Sequence, residues 1–421
     1  MELLKKILSS SLWLLIGNSI GRLAMFLANI FAARILSQEV FGQFVMIRNT
    51  ITSIESLISG TFGSTIIKKI AQANHEEKEN LQYILSTIFI LNIIIALIIS
   101  IFIFIGAEFI VKNFFLNNKN LINALYIGII ILLTTTFSTL IQNILIGFEE
   151  FKRIATLSII TSTASIPTIF LLIYFFGFYG ALMGIIFYFT FDYFIKYIYY
   201  KKLNMKAKFN IEKFKKESKK ILLFSTPLLL AVIINSFSFW YARVLIINET
   251  DSFNDIAIFD AAFQWLSIIM IITGATTSVV LPMLSKNLTD KKKLSNVFLT
   301  NLYVNLIISI FISFLFFIFS ENIMSIDGID YIKGSSTLEI LSITSIFFTL
   351  ATIYNRYMIS ISKNWLLFFA AFLGSLFMFT FLLIQENLTS EILAYSFLIY
   401  FLSGTIMYIF SYKYLNKKEN K

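Results

Sequence analysis

Two apolar segments between Ser9 and Ile67 carry ionisable side chains that hydrocarbon rejects: Arg22 in the first, Arg48 and Glu55 in the second. A charge at membrane depth costs several kcal/mol unless it faces a bundle interior or a wet cavity, so each is a functional-site hypothesis. At about 100° per residue, Asn18, Arg22 and Asn29 fall on one face of a helix. Arg48, Thr52, Glu55 and Ser59 follow the spacing i, i+4, i+7, i+11 and share a face of the next. Arg48 and Glu55 are two turns apart, roughly 10 Å along the axis, too far to neutralise each other fully. Arginine stays charged and presents a rigid fork of donors that grips phosphate in bidentate fashion. A cavity lined by Arg22 and Arg48 therefore suits an anion such as a phosphate or pyrophosphate, with Glu55 as local charge balance. The Ser, Thr and Asn residues on the same faces suit sugar hydroxyls, although they also serve ordinary helix packing.

The second half repeats the theme less clearly. Ser236 and Arg243 share a face of one run, and Asp260, Gln264 and Ser267 share a face of the next. Arg243 and Asp260 lie toward the same ends of adjacent helices, where a structural ion pair competes with a cavity role. Thr349, Thr352 and Arg356 share a third face, with Arg356 near enough to the helix end to snorkel. Asp192 and Lys196, at i and i+4, most simply pair with each other. The candidate substrate-binding cations are thus Arg22, Arg48, Arg243 and Arg356, with Asn18, Asn29, Glu55, Asp260 and Gln264 as polar and charge-balancing partners. No catalytic or metal-ligating set is visible.

These residues need membrane helices to hold them. The 421 residues are 57% hydrophobic and 14% charged, with mean hydropathy +0.81, far more apolar than a soluble domain. Apolar runs of about 20 residues recur, the length that spans about 30 Å of hydrocarbon. Alternating ten-residue strands of a membrane barrel are absent. The expectation is an all-α polytopic membrane protein of twelve transmembrane helices. The first two runs cover 8–33 and 41–66, the fifth and sixth 155–176 and 180–199 around Gly177–Gly180, and the seventh 221–247. Lys5 and Lys6 before the first run imitate a signal peptide, but the run is too long and contains Arg22, so an uncleaved helix is expected.

With the N-terminus placed in the cytoplasm, 25 of the 34 Lys and Arg fall at cytoplasmic ends and loops and four in outer loops. The positive-inside rule then puts both termini in the cytoplasm. The basic excess belongs to loops, so nucleic acid is not an expected partner. Nine lysines between Lys201 and Lys220, with Phe209, Ile211 and Phe214, read as a basic amphipathic segment on the anionic inner leaflet or as a docking point for a partner. That stretch divides the chain into an N-terminal six-helix bundle, 1–205, and a C-terminal one, 206–421. Corresponding loops lie about 212 residues apart, as in a parallel repeat of a transporter. His75, the one histidine, falls in an expected charged loop, Asn74–Glu79, and there is no Cys. Pro227 is expected to open the seventh span, and Pro167 to kink the fifth.

Ala32-Ala33-Arg34-Ile35-Leu36-Ser37, followed by Phe41-Gly42-Gln43-Phe44, resembles the turn after the first helix of bacterial polysaccharide flippases. Ile146–Ala155 is similar to that family's turn between spans four and five, and Leu223-Phe224-Ser225-Thr226-Pro227-Leu228 to the start of its second half. The family's usual Gly-Pro in the first turn is Ser37-Gln38 here. The resemblance covers the chain and implies a MATE-like fold of two six-helix bundles around a central cationic cavity. The implied activity is translocation of an undecaprenyl-pyrophosphate-linked oligosaccharide from the cytoplasmic to the periplasmic leaflet of a bacterial inner membrane by alternating access. The product would be O-antigen, lipopolysaccharide or another surface polysaccharide. Membrane lipid, an ion gradient (H⁺ or Na⁺) and polysaccharide polymerase machinery are the implied partners, with no cofactor.

Two other readings remain. A cation-coupled drug or small-molecule antiporter of the same fold would need an essential buried carboxylate, and the first span has none. A membrane polymerase or ligase would want a large outer loop, and an acyltransferase an intramembrane His; the sequence offers neither.

Overall fold

The computed structural model describes residues 24–76, 78–203, 208–286, 290–361 and 363–419. Among these the chain is helical throughout. The elements are α1 (Ala24–Ile35), α2 (Gln38–Glu76), α3 (Lys78–Phe114), α4 (Asn120–Gly147), α5 (Phe151–Lys202), α6 (Ile211–Thr250) and α7 (Asn254–Lys286). Then follow α8 (Lys291–Ile318), the short α9 (Ser320–Met324), a 3₁₀ turn (Ile329–Gly334), α10 (Ser335–Ser360), α11 (Trp365–Ile384) and α12 (Ser390–Glu419).

Among the described residues, eight helices are long and apolar enough to cross a membrane by length and composition. One of them, α5, contains two arms. Gly177 adopts φ +52°, ψ −124°, a left-handed backbone that favours glycine, and the chain folds back there. A Cβ on Gly180 would lie 1.9 Å from the Leu172 carbonyl oxygen, and one on Gly184 would lie 2.9 Å from Ile169. The arms of this hairpin therefore pack antiparallel with small residues at their contact. Counting both arms of α5, these cover nine of the twelve expected runs; α1, α2 and α7 lie on the other three.

Several helices run past the expected membrane limits. The charged loop Asn74–Glu79 is helical up to Glu76 and again from Lys78, since Ala, Gln, Glu and Lys propagate helix well in water. Pro227 lies inside α6 rather than at its start, because that helix already begins at Ile211. Pro167 sits within the first arm of α5, whose backbone leaves helical values only at Gly177.

The chain forms two compact units. Among the described residues, one comprises 24–36 and 43–236; the other comprises Ser37–Gly42 and 237–419. In the first, α2 and α4 run parallel in close contact: Cβ atoms on Gly128 and Gly147 would lie 2.7 Å from Ile51 and 2.8 Å from Ile70. Below them, Ile70, Leu85, Ile141, Ile144 and Ile154 build an apolar core from α2, α3, α4 and α5. In the second unit, α10 packs against α7, α8 and α12, and α11 against α12.

The turn motif Ser37–Gly42 has a concrete role in that second unit. Glu39 Oε2 accepts from Ser252 Oγ and from the Phe253 amide, both at 2.9 Å. A Cβ on Gly42 would lie 2.1 Å from the Phe253 carbonyl oxygen, so only glycine fits. Phe41 is buried and meets the Tyr331 ring edge-on at 6.0 Å. Gln38 takes the place of the proline expected by resemblance, and its side-chain oxygen accepts from Lys333 Nζ at 2.9 Å.

Candidate functional site

Arg22 and Asn18 lie outside the described residues. Of the first stripe, Asn29 remains, and the structure brings it to Arg48: Arg48 Nη1 donates to Asn29 Oδ1, and its guanidinium carbon lies 5.6 Å from the centroid of Phe44. Arg48 is half-buried. Two turns further along α2, Glu55 accepts from Thr139 Oγ1 of α4 at 3.3 Å. The stripes of α1 and α2 thus join, as their spacing implies, whereas the link to Thr139 depends on helix contacts that no local pattern shows.

A second polar group sits deeper in the same unit. Lys196 is 2% exposed; its Nζ donates to Asp192 Oδ2 at 2.6 Å and to Gln142 Oε1 at 2.8 Å. Ser138 Oγ also donates to Asp192 Oδ2. The expected i, i+4 pair is present, and Ser138 and Gln142, at i, i+4 on α4, complete it. The two charges pair with each other, as a structural pair does, while Asp192 Oδ1 is buried without a hydrogen-bond partner.

In the other unit Arg243 and Asp260 pair at 3.1 Å, both buried. Arg243 Nε also donates to Asp260 Oδ1, and Nη1 to the Phe239 carbonyl at 2.8 Å. The rings of Phe259, Phe263 and Phe397 stand 5.1–5.7 Å from its guanidinium carbon. That enclosure ties the group to its own unit. One turn beyond Asp260, Gln264 Nε2 donates to Asp327 Oδ1 at 2.5 Å, and Trp265 Nε1 to Asp327 Oδ2 at 2.9 Å. Sequence reasoning missed Asp327. It lies in an interhelical segment and is nonetheless fully buried, and its one signal is an acid among apolar neighbours, Met324 to Ile329.

Arg356 differs from the other described arginines of the spans. It is half-buried near the end of α10 and has no hydrogen-bond or ion-pair partner among the described residues. Two turns back on the same face, the Thr349 hydroxyl is also buried without a partner. A desolvated cation without a counter-charge costs several kcal/mol, a cost that an anion bringing its own acceptors would offset.

A family model for "polysaccharide biosynthesis protein" matches residues 7–288. The chain belongs to the polysaccharide biosynthesis protein family. Three solved structures show what fold this member of the family has. A multidrug resistance MATE family transporter of the MOP superfamily, in its inward-facing conformation, superimposes with TM-score 0.78 at 16% identity, over 97% of this chain and 99% of that one. A MOP superfamily transporter from Pyrococcus furiosus, described as having a binding pocket of reversed polarity that suggests a different function, gives 0.73 at 17% identity, over 98% and 95%. A eukaryotic MATE transporter gives 0.75 at 12% identity, over 96% and 94%. No curated protein matches the sequence. The all-α, MATE-like architecture is therefore that of a multi-pass integral membrane protein. The solved proteins that share this fold are described as transporters.

Proposed function

We propose that this protein is a flippase that carries an undecaprenyl-pyrophosphate-linked oligosaccharide from the cytoplasmic to the periplasmic leaflet of a bacterial plasma membrane by alternating access. Both termini face the cytoplasm, and the cargo feeds O-antigen or another surface polysaccharide. The observation that carries this reading is Arg356, a half-buried guanidinium without a protein counter-charge among the described residues, on one face with the unpartnered Thr349 hydroxyl. A pyrophosphate supplies the acceptors that such a fork lacks, in bidentate geometry. Arg48, oriented by Asn29, is assigned a second contact with the anion, and Arg22 the same role from its place on the Asn29 stripe. Arg243, already engaged by Asp260, serves the architecture. Membership of the polysaccharide biosynthesis family fits such a cargo.

The test is binding in nanodiscs of the purified protein to a short polyprenyl pyrophosphate, its monophosphate and the free alcohol. The proposal expects affinity in that order; equal affinity for all three would refute an anion-selective site. The antiporter reading rests on Glu55, the carboxylate that Thr139 contacts within the first unit. It expects transport that depends on Glu55 and on a cation gradient while tolerating loss of Arg48 and Arg356.

A further inference from the structure

The connection from α5 to α6 plays no part in the function above, yet it is the most basic stretch of the chain. Nine lysines face two carboxylates between Lys201 and Lys220. Lys201, Lys202, Lys208, Lys213, Lys215 and Lys219 are exposed, whereas Glu217 is buried, leaving Glu212 as the one exposed acid among the described residues there. The segment is held in place. The Lys208 amide donates to the Gln82 carbonyl at 3.2 Å, and Ser86 Oγ donates to the Lys208 carbonyl at 2.7 Å. Asn210 Oδ1 caps α6 by accepting from the amides of Glu212 and Lys213. Lys213 Nζ sits 3.9 Å from the centroid of Tyr83, a cation–π contact.

Those anchors fix a depth. Gln82, Tyr83 and Ser86 belong to the first turns of the apolar part of α3, Leu81–Phe114, where a membrane helix enters hydrocarbon. At that level Phe209 and Ile211 are 60% and 61% exposed. Ile211, Lys215 and Lys219, at i, i+4 and i+8, continue one outward face. Exposed apolar side chains beside lysines at the edge of the hydrocarbon match an anionic lipid surface in both charge and polarity.

We infer that Phe209–Lys219 is a binding surface for anionic phospholipid, with lysines on headgroup phosphates and Phe209 and Ile211 in the boundary below them. Because the chain has no Cys, Ser218→Cys gives a single labelling site beside that face. The full-length protein, carrying a nitrobenzoxadiazole probe there, is placed in phosphatidylcholine nanodiscs containing 5-doxyl phosphatidylglycerol or 5-doxyl phosphatidylcholine at equal fraction. Stronger quenching by the phosphatidylglycerol is expected. The excess should vanish at 1 M NaCl, where the screening length falls to about 3 Å, and in the Lys208→Gln, Lys215→Gln, Lys219→Gln variant. Roughly fivefold lower lipid preference per lysine is expected. Quenching of that variant by 5-doxyl phosphatidylcholine reports that it is still folded and inserted. Equal quenching by the two lipids would overturn the inference, and so would no quenching by either, the result expected if a protein partner or open water covers this face.

Discussion

Arg356→Met should make this protein more stable and less able to bind its cargo. The guanidinium is half-buried near the end of α10 with no ion-pair or hydrogen-bond partner among the described residues. Methionine keeps an apolar stem of similar reach and removes an uncompensated charge. Relief of the desolvation cost, less the packing lost from the stem, is worth about 1–2 kcal/mol. That corresponds to a rise in Tm of about 2–8 °C for a unit of this size. Cargo binding loses one charge-assisted bidentate contact of about 3 kcal/mol, roughly 100-fold in Kd. Arg356→Lys keeps the charge without the fork and should fall between the two. Tryptophan-monitored melting in detergent and polyprenyl pyrophosphate binding in nanodiscs read the two effects separately. A variant that melts lower would show that Arg356 is held by its own protein, and unchanged binding would show that it does not hold the anion. Either result refutes the reasoning.

Other expectations follow from the same geometry. Lys196→Met leaves the Asp192 carboxylate buried with only Ser138 and should cost about 3–5 kcal/mol; Lys196→Met with Asp192→Leu should recover most of that loss in the same melting assay, and an equally unstable double variant would contradict a structural pair. Gly42→Ala forces a Cβ against the Phe253 carbonyl and should cost about 1–3 kcal/mol, seen as a lower melting point with cargo affinity unchanged in the folded fraction. Glu55→Gln keeps the contact with Thr139 and removes the charge; surface polysaccharide in a complemented strain should stay within about twofold, since the anion is held by arginine rather than by a carboxylate.

Much of the fold is legible from short-range information. Twelve apolar runs have membrane length, and the four residues around Gly177 suffice to turn a hairpin, so the helix count needs no tertiary knowledge. Helix ends are less legible: the apolar signal stops at the membrane edge, while α2 continues to Glu76 and α6 begins at Ile211 because good helix formers extend them into water. Among the candidate site residues, the Asn29–Arg48 contact follows from two stripes at helical spacing on adjacent helices, and the Arg243–Asp260 pair from their matching ends. The contacts of Glu55 with Thr139, and of Gln264 and Trp265 with Asp327, join elements far apart in sequence, where spacing carries no signal. The relative weight of the arginines was equally hidden. Arg243 and Arg356 look alike in sequence, yet one is enclosed by Asp260 and three aromatic rings while the other has no counter-charge among the described residues.

The claim that this fold carries a pyrophosphate-linked glycan is tested most directly by reconstitution. Purified protein in proteoliposomes would be given a fluorescent undecaprenyl-pyrophosphate-linked oligosaccharide, and its appearance in the opposite leaflet followed by access to a membrane-impermeant reductant. The account predicts translocation well above that of protein-free vesicles, lost in Arg48→Gln and Arg356→Gln and retained in Glu55→Gln. Translocation no faster than in empty vesicles, or transport that needs Glu55 and ignores both arginines, would contradict it.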